Sequence, residues 1–291
     1  MTPILYDNIL FRTTDLHAAF MDKTVFIAGR GFFGRWFQGF FEHLNKRGIN
    51  VSVQAASKSG GWDINDPSTY SEFQKSADYI INACGSASAQ LPDEEIVQQH
   101  LAGPINLRSH TKPGAVMLQI SSGAAINPKN CYGSCKQAAE NHLLSMGGKT
   151  QIVRVFATIG PGMDLNTHFA IPTFIRNTLA GQPIAAIPGV SRSFAHVCDV
   201  ITQCLHVMIN GDGKPYDVGS DDLISIEDAA NLISENVIWA GRDTFQSNAA
   251  VNLYAANLTR IKDQFNLGID WSSRAAILST WRAFSNASNT T

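Results

Sequence analysis

Charge is scarce in this chain. Asp, Glu, Lys and Arg make up 16% of its 291 residues, well under the roughly one quarter usual in globular domains, which excludes long disordered or coiled-coil segments. Clustered positive charge is missing too. Lys and Arg number 22 against 24 Asp and Glu, a formal net charge of −2 with no polybasic run. Sequence-independent nucleic-acid binding needs such clusters to displace counterions from phosphates, so it is excluded. No apolar stretch reaches about 18 residues, which leaves no membrane span. The opening MTPILYDNILFRTTDLHAAF carries Asp7, Arg12 and Asp15 and lacks the basic-then-apolar layout of a secretory leader. Cysteine occurs five times, an odd number without a CxxC pair, so no disulfide framework is expected. These absences predict a soluble, cytoplasmic protein without nucleic-acid or membrane partners.

What is present is alternation. Short apolar runs recur at TVFIAG, NVSVQAA, DYIINAC, AVMLQIS and TQIVRVFA, separated by helix-spaced stretches such as RWFQGFFEHLNKR and KQAAENHLLSM. Runs apolar throughout suit strands covered on both faces, so the pattern predicts an α/β fold with a doubly wound parallel sheet (Rossmann). Residues 1–22 read as an amphipathic helical extension, 23–160 as a dinucleotide-binding domain and 286–291 as a flexible tail. After about residue 160, GPGMD and GQPIAAIPGV break the alternation. Residues 161–285 therefore read as a smaller α/β lobe stacked on the carboxyl ends of the strands, where open sheets bind ligands.

Gly29, Arg30, Gly31, Phe32, Phe33 and Gly34 follow the first strand and open a helix. Glycine there allows a tight turn and lets a pyrophosphate approach backbone N–H groups at the positive helix end. The ribose of NAD is usually met by an acidic residue at the end of the second strand, and here that place falls on Ala55 or Ala56. Ser57 and Lys58, with Arg30, suit a 2′-phosphate instead, so NADP(H) is favoured over NAD(H). Tyr132 and Lys136 lie four apart, on one helical face, ten residues beyond Ser121 and Ser122. A phenol of pKa about 10 is a poor base at neutral pH, and a neighbouring ammonium lowers that value while a serine hydroxyl holds the substrate oxygen.

With IAGRGFFG, WDIND, INACGS, SSGAA, CYGSCK, VRVFATIGPGM, SRSFAHVCDV, YDVGS and NLTRIKDQFNLGIDW in hand, the chain resembles the extended short-chain dehydrogenase/reductase superfamily. Within it, the similarity is to the NAD(P)-dependent epimerase/dehydratase group acting on sugar nucleotides, and it runs from about Lys23 to Phe284. The resemblance implies Ser122 as the substrate-orienting hydroxyl, Tyr132 as acid/base and Lys136 as the ribose-binding residue that tunes it. It also implies that Asp63 and Ile64 flank the adenine, that Ala83 and Cys84 line the cofactor cleft, and that Arg192 contacts the substrate diphosphate in a nucleotide-sugar-binding lobe. Departures from the group's pattern are Ala28 at its first glycine, His100 at its usual asparagine and a short segment between Ser122 and Tyr132. Gly123 and Ala124 stand where the 4,6-dehydratases carry an Asp-Glu pair, which argues against dehydration.

Other residues have ordinary readings beside functional ones. Cys131 and Cys135 suit packing better than a zinc site. His100 suits a helix surface or the core, with an active-site role as the rival. His168, Asp164 and Asn166 fit the surface or a substrate contact, and Asp199 fits a partner of Arg192. The aromatic run from Phe32 to Phe41 has helical spacing and suits core or an oligomer interface. The favoured activity is NADP(H)-dependent reduction of a 4-keto sugar nucleotide. A 4-epimerase holding NAD(H) is the alternative, and a non-catalytic dinucleotide sensor a further one. A homodimer is expected, paired through EEIVQQHLAGPINLRSH and the helix of Tyr132, where Ala138, Ala139, Leu143 and Leu144 make an apolar stripe.

Overall fold

The five apolar runs become strands of one sheet in the computed structural model, which describes residues 3–86, 91–239 and 253–288. They are β1 (Lys23–Ala28), β2 (Val51–Ala56), β3 (Tyr79–Asn82), β4 (Val116–Ser122) and β5 (Lys149–Val155). A sixth short strand, β6 (Tyr216–Val218), completes the order β2-β1-β3-β4-β5-β6. The pairings β1–β2, β1–β3, β3–β4 and β4–β5 are parallel. This is the doubly wound sheet expected from the sequence. Strand order reverses at β1, with β2 on one side and β3 on the other. The crevice beyond the carboxyl ends of strands at such a reversal is where open α/β sheets bind ligands.

Two compact units make up the chain: Thr2–Val155 with Ile201–Asp217, and Phe156–Val200 with Val218–Thr291. The boundary near 160 is thus not a single cut, because Ile201–Asp217 belongs with the first unit and leads into the edge strand β6. In that unit, helix α1 (Pro3–Arg12) buries Leu5, Tyr6, Ile9 and Leu10 and leaves Ile4 and Phe11 outside. Tyr6 packs on Trp36 with ring centroids 5.1 Å apart, and Asp7 pairs with His43 and Arg47. Helix α2 (Phe32–Lys46) lays Trp36, Phe37, Phe40, Phe41 and Leu44 into the core. Their helical spacing makes this aromatic run a packing face.

Helix α3 changes its winding midway. It runs through Asp93–Val97, a π turn at Gln98–Ala102 and Gly103–Ser109, and the Gly103 N–H reaches the Gln98 carbonyl five residues back. Pro104 supplies a cause. A proline has no N–H for the carbonyl four residues earlier, which is that of His100, and its ring crowds that carbonyl. Widening the preceding turn relieves the clash. Helix α4 (Cys131–Ser145) buries Ala139 and Leu143, whereas Ala138 and Leu144 face outward. The four do not form one stripe, because neighbouring residues on a helix point about 100° apart and Ala138 and Leu144 turn away from the face of Ala139 and Leu143.

The second unit is built from small pieces. Strand Ser191–Ser193 pairs antiparallel with Leu223–Ser225 and parallel with Leu253–Tyr254. Thr158–Ile159 pairs with Ala195–His196, and Ile184–Ala186 with Val237–Trp239. The last helix, Ser273–Ser288, takes in the first three residues of the expected tail. Residues 289–291 lie outside the described residues. Among the described residues no helix is long and apolar enough to cross a membrane.

Candidate functional site

The glycine loop after β1 is shaped by contact on two sides and by open space on the third. Gly29 has φ +97°, and a Cβ on it would lie 2.7 Å from the Ala83 carbonyl oxygen. A Cβ on Gly34 would strike the Gly29 carbonyl, so this glycine seats α2 against the loop. Gly31 differs: nothing lies within 4 Å of where its Cβ would be. It is the N-cap of α2, with no side chain capping the helix. Uncapped N–H groups and the positive helix end therefore border a cradle that a side chain would fill, which fits a dinucleotide pyrophosphate. Arg30 is exposed beside it, and Phe32 and Phe33 are half-buried with rings 5.4 Å apart.

Beyond β2, Ser57 shares a hydrogen bond of 3.1 Å with Ser59. The exposed Lys58 ammonium lies 3.4 Å from the Asp63 carboxylate. Ile64 is buried in a core cluster with Phe26, Ala28, Trp62 and Tyr70. After β3, the Ala83 N–H bonds the Ala28 carbonyl at 2.8 Å and the Cys84 N–H bonds Asn82 at 3.2 Å. Burial pushes the Cys84 thiol up to about 12, so it stays protonated.

Alternation along β4 sends its two terminal serines to opposite faces. Ser121 is buried and donates to Glu140 at 2.5 Å. The Glu140 carboxylate also takes the Arg154 guanidinium through Nε at 3.0 Å and Nη2 at 2.6 Å. Ser122 is half-buried, and its Oγ accepts from the Ala124 N–H at 3.2 Å across the tight turn Gly123–Ala125. Asn130 caps α4 by accepting from the Gly133 N–H at 3.0 Å. A Cβ on Gly133 would come within 2.8 Å of the Ala124 carbonyl, so glycine lets the helix start sit directly on that turn.

The same helix then presents Tyr132 and Lys136. The Lys136 Nζ is 5.8 Å from the Tyr132 ring centroid and donates to the Ile120 carbonyl at 3.0 Å. Lys136 is 5% exposed, and this burial brings its ammonium down to about 8, against the opposing pull of the Glu140 carboxylate. His100, on the π turn of α3, packs edge to face on the Tyr132 ring with centroids 4.9 Å apart. Ser122, Tyr132, Lys136 and the glycine loop all belong to the first unit. An ammonium over a phenol ring, on a helix seated against the turn that Ser122 opens, suits proton transfer to or from an oxygen.

Arg192 belongs to the second unit. It is half-buried on Ser191–Ser193, opposite Ile224 and Tyr254, and donates to the Ser191 carbonyl at 2.8 Å. The Asp199 carboxylate accepts the N–H groups of Asp270 and Trp271 at 3.0 and 3.1 Å. His168 is exposed against Phe169, and Asp164 accepts from the Asn166 N–H at 2.9 Å. The Cys131 and Cys135 sulfurs are 3.8 Å apart. Among the described residues no group of three or more His, Cys, Asp or Glu gathers as a metal site. Sequence reasoning passed over Glu140, Arg154 and Gly85. The four-residue spacing from Lys136 to Glu140 was a signal for the first.

Several known proteins are similar. UDP-glucuronic acid decarboxylase 1 of Xenopus tropicalis is 28% identical over 130 residues, which is 43% of this chain and 31% of that protein. The match thus spans about a third of the relative's length. Among solved structures, an epimerase from Methanothermobacter thermautotrophicus superposes with a TM-score of 0.77 at 17% identity, covering 97% of each chain. RMD from Pseudomonas aeruginosa, complexed with NADPH, gives 0.74 at 19% identity over 91% of this chain and 99% of that one. At such identities the structural likeness speaks for the fold. The family match goes further, since residues 25–219 fit the family described as NAD dependent epimerase/dehydratase. With more than half of its length matched, this chain belongs to the NAD dependent epimerase/dehydratase family.

Proposed function

We propose that the chain reduces a 4-keto nucleoside-diphosphate sugar with NADPH. The observation that carries this is the buried Lys136 ammonium set over the Tyr132 ring, on a helix seated against the Ser122 turn. The backbone from Gly29 to Gly34 holds the pyrophosphate, Asp63 and Ile64 flank the adenine, and Ala83 and Cys84 line the cleft. Arg30, with Ser57 and Lys58, meets the 2′-phosphate. When bound, the nicotinamide supplies a hydride. Ser122, whose oxygen already accepts from Ala124, directs its own O–H to the substrate carbonyl oxygen. The Tyr132 hydroxyl gives its proton to that oxygen as negative charge builds there. Lys136 stabilises the phenolate left behind and holds the ribose, and Arg192 binds the substrate diphosphate.

Gly123 and Ala124 support reduction over elimination, which needs a carboxyl acid and base beside the sugar. Ala55 and Ala56 support NADPH, as they offer no carboxylate to a 2′-hydroxyl. One observation favours a second possibility, a 4-epimerase that retains NAD(H). Lys58 is already paired with Asp63, although an exposed pair of this kind is weak and exchangeable. The test is incubation with a panel of nucleotide sugars and NADPH or NADH, following absorbance and product NMR. Loss of NADPH that depends on a 4-keto sugar supports the reductase. Interconversion of sugars without net NADPH loss, by protein purified with bound NAD, replaces it with the epimerase. Tight dinucleotide binding without turnover indicates a sensor. Arg30→Ala should weaken NADPH binding and leave NADH binding unchanged, and equal loss for both removes the 2′-phosphate contact. We also propose a cytoplasmic homodimer, for which light scattering at micromolar concentration is decisive: a monomer-sized species with full activity excludes an obligate dimer.

A further inference from the structure

His100 is 1% exposed and sits within the π turn of α3, a distortion that re-aims side chains and is frequent at functional sites. Three contacts fix its imidazole. The Nε2 atom lies 2.9 Å from the Ser86 carbonyl oxygen. A carbonyl only accepts, so Nε2 carries the hydrogen and donates it. The ring stands at 83° against the Tyr132 ring. Gly85, at φ +101°, approaches so closely that a Cβ there would fall on the imidazole Cε1 and Nδ1 atoms. What remains is Nδ1, a buried lone pair with no hydrogen-bond partner among the described residues. Such an acceptor is costly to leave unmade.

Lys136 has the complementary surplus. Its ammonium is buried and carries three hydrogens, one of them directed to the Ile120 carbonyl. A buried lone pair and a buried donor thus border the same phenol ring. Resting on the roles proposed above for Tyr132 and Lys136, we propose that His100 is a positioning residue for this pair. Its Nδ1 takes a Lys136 hydrogen through one bridging water, and so keeps the ammonium protonated beside the phenol.

The groups facing Lys136 leave this task to His100. Glu140, on the same helix, is occupied by Arg154 and Ser121. The Cys84 thiol beyond β3 is neutral. His100 itself is neutral as well, since burial and the Lys136 charge bring it down to about 3. It is therefore an acceptor at neutral pH, and it adds no charge of its own there. With Lys136 near 8, one further hydrogen bond changes how much ammonium is present at neutral pH, in addition to the pull of the Glu140 carboxylate.

The experiment is a phenolate absorbance titration of Tyr132, each protein measured as the difference from its own Tyr132→Phe version. His100→Gln keeps a polar group near Ser86 but no atom at Nδ1, whereas His100→Asn places an acceptor oxygen at Nδ1. His100→Gln should raise the Tyr132 midpoint by about one pH unit. His100→Asn should stay close to wild type. A His100→Gln titration superimposable on wild type, with Lys136→Met still shifted, overturns the role of His100 and leaves the pair standing. Equal shifts in both His100 variants also overturn it, since the lone pair would then be irrelevant. A Lys136→Met titration superimposable on wild type overturns the pair itself, and the proposed function with it. A measurement on the unaltered imidazole guards against misfolded variants. In protein labelled with ¹⁵N-histidine, the His100 Nδ1 resonance should be that of an accepting nitrogen and should move on Lys136→Met. A resonance unmoved by that change counts against the proposal.

Discussion

The Lys136 ammonium is desolvated and keeps one hydrogen bond among the described residues, to the Ile120 carbonyl, so the loss of water is only partly offset. Between about pH 8 and its unfolded value of 10.5, the unfolded chain holds a proton that the folded chain does not. Stability therefore rises with pH through that window, and at neutral pH the buried charge is a net cost. Lys136→Met should raise the melting temperature at pH 7 while abolishing turnover and weakening dinucleotide binding. Tyr132→Phe should abolish turnover with dinucleotide affinity nearly unchanged. Calorimetry and cofactor titration check both, and wild-type activity in Tyr132→Phe removes the phenol from the mechanism. Glu140 is the opposite case, because its charge has partners on two strands. Glu140→Gln should cost about 2–4 kcal/mol in urea unfolding, discounted from the fully buried value because Arg154 is partly exposed. A loss under about 0.5 kcal/mol, the size of an ordinary surface substitution, would mean that the guanidinium is satisfied by water.

Helix α3 shows what a pattern of residue types can and cannot reveal. The stretch EEIVQQHLAGPINLRSH has ordinary helical composition, and its existence as a helix was legible. Its π turn was not, because the cause is one steric clash, between Pro104 and the His100 carbonyl, that periodicity does not register. Pro104→Ala should let the α-helical ladder close. It should stabilise the helix, re-aim His100 and lower turnover, checked by amide exchange across 98–104 and by rate measurements. Unchanged exchange there would mean that the π turn has another origin, such as the close approach of Gly103 to Ile64. Strands β1 to β5 were legible for a different reason: apolar runs buried on both faces leave a strong mark. Strand β6, with the three residues YDV, is too short to leave one. The stripe on α4 failed on angle, since adjacent residues turn 100° apart. Within the candidate site, the closeness of Tyr132 and Lys136 on one helical face was legible from their spacing, as was the turn from Gly29 to Gly34 that opens α2. The Glu140–Arg154 pair was hidden because it joins a helix to a strand.

Acid should undo the whole molecule in a particular pH range. His100 in the first unit and His196 in the second are buried and neutral, held by burial at about 3 and about 4. Unfolded, each would titrate near 6.5. Folded-state values below the unfolded one mean that the unfolded chain binds more protons as pH falls. The stability is fully present above 6.5 and drains away from there down to about 4 for His196 and about 3 for His100. Urea unfolding followed across that range should show a slope approaching two protons. A flat profile would contradict the burial of neutral imidazoles.

Neither compact unit is one stretch of polypeptide. The chain leaves the first at Val155, returns at Ile201 and leaves again at Asp217. A genetic crossover at any single point near residue 160 would assign Ile201–Asp217 to the wrong parent. Strand β5 would then border a foreign β6 or an open edge. Whole-module shuffling is thereby closed to such a gene. New specificities must arrive by point substitution, or by exchanges with three matched junctions.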